Sequence, residues 1–209
     1  NILITGVTGF VGSHLVEFLL KNVPEANIYG LLRWRSPLDN IKHVVQNINL
    51  LYGDLTDMQS MRSCLAASKP DFIFHLAAQS LVPYSFTAPI ATLNANCIGT
   101  CNLLETIKDQ RGTIDPVVHI CSSSEVYGQV EPHEVPIKET NPFRPASPYA
   151  VSKVCEDMLA LQYWLSWGIK TIRSRMFTHS GKRRGDVFVE SNFAKQIAEI
   201  EKKKKSPVI

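Results

Sequence analysis

A tyrosine and a lysine four residues apart, in Tyr149-Ala150-Val151-Ser152-Lys153, have chemistry to offer. On a helix that spacing brings both side chains to one face. A free phenol ionises near pH ~10 and is a poor base at neutral pH, but a nearby ammonium favours the phenolate. Tyr149 could then take the proton of an alcohol while a hydride leaves the same carbon. A second cluster stands upstream, Cys121-Ser122-Ser123-Ser124-Glu125-Val126-Tyr127-Gly128. Ser123 can donate a hydrogen bond to the oxygen being oxidised, and Glu125 can serve as a base separate from Tyr149. A carboxylate with a free pKa of about 4.3 is a weak base, so desolvation would have to raise it toward the working pH.

The patterning supplies elements to position these groups. Strand-like apolar runs fall at Ile2–Ile4, Ile28–Leu32, Ile48–Tyr52, Phe72–Leu76, Val117–Cys121 and Lys170–Arg173. Between and after them, helical spacing covers Phe10–Lys21, Thr56–Ala67, Ala88–Asp109, Tyr149–Trp167 and Glu190–Lys203. This alternation predicts an α/β fold, a doubly wound parallel sheet covered by helices on both faces. Pro132 to Pro148 holds five of the twelve prolines and reads as a surface loop. The Ser–Glu cluster begins at the carboxyl end of the fifth strand and the Tyr–Lys helix follows it.

A glycine-rich turn, Thr5-Gly6-Val7-Thr8-Gly9-Phe10-Val11-Gly12, joins the first strand to the first helix. That context makes it a dinucleotide signature. Gly6 permits the tight turn, Gly9 lets backbone amides approach a pyrophosphate, and Gly12 lets the helix pack close. Thr8, Phe10 and Val11 complete the turn at a helix N-terminus suited to phosphate. The second strand ends in Leu31-Leu32-Arg33-Trp34-Arg35-Ser36, without the acid that would hold a ribose 2′-hydroxyl. Guanidinium groups at Arg33 and Arg35, with Ser36, suit a 2′-phosphate and predict NADP as cofactor. Asp54 and Leu55 after the third strand would hold the adenine edge. Leu76, Ala77, Ala78 and Gln79 after the fourth would lie near the nicotinamide ribose, which Lys153 would also hold.

Composition narrows the classes. The net charge of +3 is too small to argue for nucleic acid or a membrane surface. The basic run Lys202–Lys205 reads as a solvated helix end. The five cysteines, Cys64, Cys97, Cys101, Cys121 and Cys155, form no Cys-x-x-Cys pair, and no metal site is expected. They read as reduced, mostly buried thiols of a cytoplasmic protein. No apolar run is long enough to span a bilayer. Both ends of the chain read as cut from something longer.

The combined motifs resemble the extended short-chain dehydrogenase/reductase (NAD-dependent epimerase/dehydratase) family, and within it the GDP-mannose 4,6-dehydratases. Beyond the motifs above, the resemblance rests on Leu-Ala-Ala-Gln-Ser at 76–80, Arg-x-Arg-Ser at 33–36 and Phe177-Thr178-His179-Ser180-Gly181-Lys182-Arg183-Arg184-Gly185-Asp186-Val187-Phe188-Val189. It implies Ser123, Glu125, Tyr149 and Lys153 as catalytic residues, and His179 and Arg184 as cofactor contacts. It implies a GDP-linked hexose as substrate, a homodimer or homotetramer, an NADP-binding domain over residues 1–175, and the start of a substrate-binding part over 176–209. Three positions depart from the family pattern: Thr178 stands for Asn, Lys182 for Pro, and Ala91 for a Tyr. The motifs also leave open a GDP-4-keto-6-deoxyhexose reductase, a nucleotide-sugar 4-epimerase and a non-catalytic NADP-binding module. The Arg183-Arg184-Gly185…Phe188 segment favours the dehydratase over the reductase. Glu125 disfavours the epimerase, and the full Ser–Tyr–Lys set disfavours the module.

Overall fold

Six strands form one parallel sheet in the computed structural model, which describes residues 1–208. In chain order they are β1 (Ile2–Thr5), β2 (Ile28–Leu32), β3 (Asn49–Tyr52), β4 (Phe72–His75), β5 (Val117–Cys121) and β6 (Thr171–Ser174). Their spatial order is β3-β2-β1-β4-β5-β6, and every neighbouring pair is parallel. This is the doubly wound sheet that the alternating pattern predicts. Strand order reverses direction beside β1, and the carboxyl ends of β1 and β4 flank that point, where such sheets bind ligands.

The helices are α1 (Phe10–Asn22), α2 (Met58–Ser68), α3 (Val82–Thr87), α4 (Pro89–Leu93), α5 (Gly99–Asp109), α6 (Pro148–Trp167) and α7 (Val189–Glu201). Side chains alternate across a strand, so each sheet face collects its own core. Leu3, Leu31, Ile73, Val118 and Ile120 join Leu65, Leu103, Leu104 and Ala160 from α2, α5 and α6. On the opposite face Ile2, Ile4, Ile28 and Leu32 join Val16 and Leu19 from α1. A Leu→Ala change in such a core typically costs about 2–5 kcal/mol.

Three expectations need correction. The single helix expected over Ala88–Asp109 is interrupted: Asn94–Ile98 is a π-helical turn between α4 and α5. The unexpected helix α3 precedes it, cut off because Pro89 forces Ala88 out of the helical region (φ −133°, ψ 66°). The cysteines are not mostly buried. Cys64 is, whereas Cys97, Cys101, Cys121 and Cys155 are half-buried; Cys97 and Cys101 face the seam with α6, where Cys97 Sγ lies 3.9 Å from the Ser152 carbonyl and Cys101 Sγ 3.7 Å from the Tyr163 hydroxyl. All five are free thiols. Among the described residues there is no cluster that could hold a metal ion, and no helix long and apolar enough to cross a membrane.

The chain divides into two compact units, one ending at Phe177 and one starting at Thr178. The first holds the sheet and helices α1 to α6; the second holds α7.

Candidate active site

The glycine-rich turn is shaped by contact with the segment that follows β4. Gly6 has φ +72°, and a Cβ there would stand 2.8 Å from the Ala77 backbone nitrogen. At Gly12 a Cβ would stand 2.3 Å from the Gly6 carbonyl oxygen. Side chains at either position would push the turn open. The Gly9 amide donates to the Gly6 carbonyl at 2.9 Å and closes the turn. Gly9 is exposed and caps α1 without a side-chain hydrogen bond, and no acidic residue occupies the first helical turn. The positive end of a 13-residue helix thus faces outward at the sheet edge. The Asn40 side chain donates to the Thr8 carbonyl at 2.9 Å and fixes the loop after β2 against this turn.

Beyond β2, Arg33, Trp34, Arg35, Ser36 and Pro37 line an open pocket of about 550 Å³ with Tyr52, Gly53 and Asp54. Both arginines are exposed. The Trp34 ring packs edge-on to Tyr52 at 5.9 Å, so two aromatic faces join the guanidinium groups. Sequence reasoning missed both aromatics as site residues, although an exposed tryptophan between two arginines was a usable signal. Asp54 is partly occupied, since its Oδ1 accepts from the Thr56 amide and hydroxyl at 2.9 and 2.8 Å. Leu55 packs against Gly99, and its carbonyl accepts from Asn102 at 2.9 Å.

His75, at the end of β4, ties the sheet edge together. Its Nδ1 lies 2.9 Å from Thr5 Oγ1 and its Nε2 2.9 Å from Thr100 Oγ1. Thr5 Oγ1 already accepts from the Leu76 and Ala77 amides, both at 3.2 Å. Its own proton is therefore the one shared with His75, which assigns Nδ1 as acceptor and Nε2–H as donor to Thr100. Burial drives the His75 pKa down to about 3, with the charges of Lys153 and His119 adding to the effect. Gln79 is held just as firmly: its amide donates to Asn96 Oδ1 at 2.8 Å, and Asn96 Nδ2 donates to the Gln79 carbonyl at 3.0 Å and to Ser152 Oγ at 2.8 Å. Asn96 lies in the π turn and is fully buried. It therefore couples the β4 loop to α6. His75, Thr5 and Asn96 all escaped sequence reasoning.

The Ser–Tyr–Lys group comes together between β5 and α6. The Ser122 amide donates to the Ser174 carbonyl at 2.8 Å, and the Ser124 amide to that of Met176 at 2.9 Å. These bonds hold the serine turn to the strand beside it. Ser123 is buried, caps a 3₁₀ turn over Ser124–Tyr127, and accepts from the Glu125 amide at 3.2 Å. Tyr149 and Lys153 lie on the first turns of α6, which Ser147 caps by accepting from the Ala150 amide at 3.0 Å. Ser123 lies close enough to Tyr149 to favour its ionised form. Lys153 Nζ stands 6.0 Å from the centre of the Tyr149 ring and donates to the Cys121 carbonyl at 2.7 Å. Burial pushes the Tyr149 hydroxyl above its ordinary value, while Lys153 and Ser123 pull the other way. Glu125 is the second residue of the same 3₁₀ turn and lies open to solvent. The drying expected around it is not supplied by the described residues.

Ser123, Tyr149 and Lys153 thus meet, with Glu125 two residues away. Gly6, Thr8, Gly9, Phe10, Val11 and Gly12 share the sheet edge with Leu76, Ala77, Ala78 and Gln79. His179 and Arg184 belong to the second unit. There the Arg184 guanidinium donates to the His179 carbonyl, faces Glu190 at 3.8 Å and lies 4.4 Å over the Phe188 ring.

Residues 3–209 match the family model described as GDP-mannose 4,6 dehydratase. A GDP-mannose 4,6-dehydratase from Vibrio cholerae serotype O1 is 40% identical over 208 residues, which are 95% of this chain and 54% of that protein. A dTDP-glucose 4,6-dehydratase double mutant from Streptomyces venezuelae, solved with NAD and DAU bound, aligns with a TM-score of 0.85 at 26% identity, over 95% of this chain and 62% of that one. RMD from Pseudomonas aeruginosa, solved with NADPH, aligns with a TM-score of 0.79 at 31% identity, over 98% of this chain and 62% of that one. The chain spans about half the length of the curated relatives it matches.

Proposed function

The chain belongs to the GDP-mannose 4,6-dehydratase family, and on that premise we propose that the protein is a nucleotide-sugar 4,6-dehydratase that takes GDP-mannose to GDP-4-keto-6-deoxymannose with NADP as its resident cofactor. The observation that carries the reading is the meeting of Ser123, Tyr149 and Lys153, with a second potential base, Glu125, on the adjoining turn. An oxidation at one carbon needs the first three. An elimination at its neighbour needs a further base, and Glu125 is the group available for it.

The residues at the sheet edge fit a nicotinamide dinucleotide. The α1 terminus carries no side-chain cap, and Gly9 leaves it open. Arg33, Arg35 and Ser36 line the pocket beyond β2, where a 2′-phosphate would gain charge-assisted bonds. Trp34 and Tyr52 offer that pocket ring surface for a base. Leu76, Ala77, Ala78 and Gln79 would border the nicotinamide end, which Lys153 would hold. When bound, NADP would supply the hydride acceptor and donor that the reaction needs.

The chain's own groups do the rest. Tyr149 takes the proton of the C4 hydroxyl while Ser123 donates to the same oxygen. The 4-keto group makes the C5 proton acidic. Glu125 takes that proton and passes it to the C6 hydroxyl, which leaves as water; as hydride returns to C6, the proton that Tyr149 took from the C4 hydroxyl goes back to C5. Enclosure by the bound substrate would give the exposed Glu125 the drier setting that a base needs.

Glu125→Gln tests the assignment, since oxidation at C4 does not need the carboxylate. The variant, given GDP-mannose and NADP⁺, should accumulate bound NADPH and stall, whereas wild type should release the 4-keto-6-deoxy product with little net NADPH. A variant that forms product at the wild-type rate would remove Glu125 from the reaction and the elimination from the reading. Wild-type protein that forms no 4-keto sugar without added reductant would point to the reductase instead.

A further inference from the structure

One buried ionisable group lies against the site and has no part in the reaction above. Glu156, three residues after Lys153 on α6, is 1% exposed. Its Oε2 accepts from Lys153 Nζ at 2.8 Å, and its Oε1 has no hydrogen-bond partner among the described residues. Packing does not explain it. A buried ion pair seldom stabilises a fold over well-packed apolar residues, and an oxygen left bare adds to the cost. The acid also stands beside the one ammonium that could favour ionisation of Tyr149.

We propose that Glu156 is a positioning residue: it anchors Lys153 in the core and sets how much of the lysine's positive charge reaches the Tyr149 hydroxyl. As a carboxylic acid it leaves the ammonium uncompensated. As a carboxylate it cancels much of that charge and opposes a second anion at Tyr149. Other groups face the pair from every side. Cys121 approaches from β5, His75 from β4 and Cys97 from the π turn, while Tyr149, Cys155 and Asp157 share the helix. Asp157 is neutralised separately, by Arg173 and Arg175, both at 2.8 Å. Against this background burial pushes the Glu156 carboxyl up to about 7, although Lys153 pulls it down. Burial works against the Lys153 ammonium, but Glu156 and Tyr149 outweigh it and hold it charged. The switch between the two forms of Glu156 therefore falls in the neutral range, and rising pH weakens the pull of Lys153 on Tyr149.

The inference rests on Tyr149 being the base of the proposed reaction, but its test needs no substrate. Phenolate absorbance is titrated in the intact protein from about pH 6 to pH 11, a range bracketing the ordinary tyrosine value. Subtracting the matching Tyr149→Phe protein isolates Tyr149. In Glu156→Gln the Tyr149 titration should fall by one unit or more, about ten-fold easier ionisation, the usual scale for a neighbouring charge. Glu156→Asp, whose carboxylate stands one methylene farther off, should fall between Gln and wild type, and it carries the test if the Gln protein does not fold. A Tyr149 titration that stays put or rises in these variants overturns the proposal. A downward shift in a protein that never dehydrates GDP-mannose would uphold the coupling and refute the dehydratase reading, so the two failures are distinguishable.

Discussion

His75 should make this protein lose stability in mild acid, by an amount that follows from its surroundings. In the unfolded chain its imidazole titrates near 6.5; in the fold burial brings it down to about 3. A depressed histidine pKa means that the unfolded chain binds the extra proton first. The contribution is fully present above about pH 6.5 and is lost as pH falls from there toward the folded value. Within that window each pH unit costs up to ~1.4 kcal/mol, so the step from pH 7 to pH 5 costs roughly 2 kcal/mol from this residue. For a chain of 209 residues that corresponds to about 4–8 °C in Tm. The structural reason is the tautomer: Nδ1 must accept from Thr5, and a proton there would leave two donors facing each other. His75→Gln keeps a donor and an acceptor but cannot titrate. Thermal melts of wild type and variant at pH 7 and pH 5 provide the assay. Glu156, raised to about 7, contributes in the opposite direction between its ordinary value and neutral pH, but it is present in both proteins and drops out of the difference. The variant should lose less Tm than wild type on acidification, by about 4–8 °C. Parallel losses would refute the reasoning, as would an NMR titration showing the His75 ring protonating near pH 6.

Three further outcomes are expected. Replacing Arg33 and Arg35 with Ala should weaken NADP by roughly ten-fold or more while leaving NAD nearly unchanged, since a charge-assisted hydrogen bond is worth about 1.5–3 kcal/mol; calorimetric titration showing equal losses would defeat the 2′-phosphate assignment. Tyr149→Phe keeps the buried ring and should retain NADP binding while hydride transfer from GDP-mannose falls about 10²–10⁴-fold in single-turnover absorbance, the range for one general base. Gly12→Ala places a Cβ 2.3 Å from the Gly6 carbonyl, which should cost about 1–3 kcal/mol in urea unfolding and weaken dinucleotide binding together.

Much of the site could be read along the chain because its signals are local. The turn from Gly6 to Gly12 spans few residues, and its glycines are demanded by backbone contacts with Ala77 and Gly6 itself. Tyr149 and Lys153 are a helical turn apart, and helix geometry alone brings them to one face. The aromatics of the pocket beyond β2 were less accessible, because Trp34 and Tyr52 meet only when β2 and β3 pair. The π turn at Asn94–Ile98 escaped for a related reason, since it lies where Asn96 reaches Gln79 and Ser152, 17 and 56 residues away.

The sequence by itself determined the six strands, their alternation with the longer helices and hence the parallel sheet, the glycine turn and the Tyr–Lys pair, since these follow from side-chain period, chain order and backbone sterics. Only the tertiary structure decided the charge states. Glu156 is sealed against Lys153, and the burial that raises its carboxyl comes from what packs around α6. His75 is one of six histidines, and it is kept neutral by threonines 70 residues before it and 25 after it. Desolvation depends on what packs around a group in space, and no spacing along the chain carries that information.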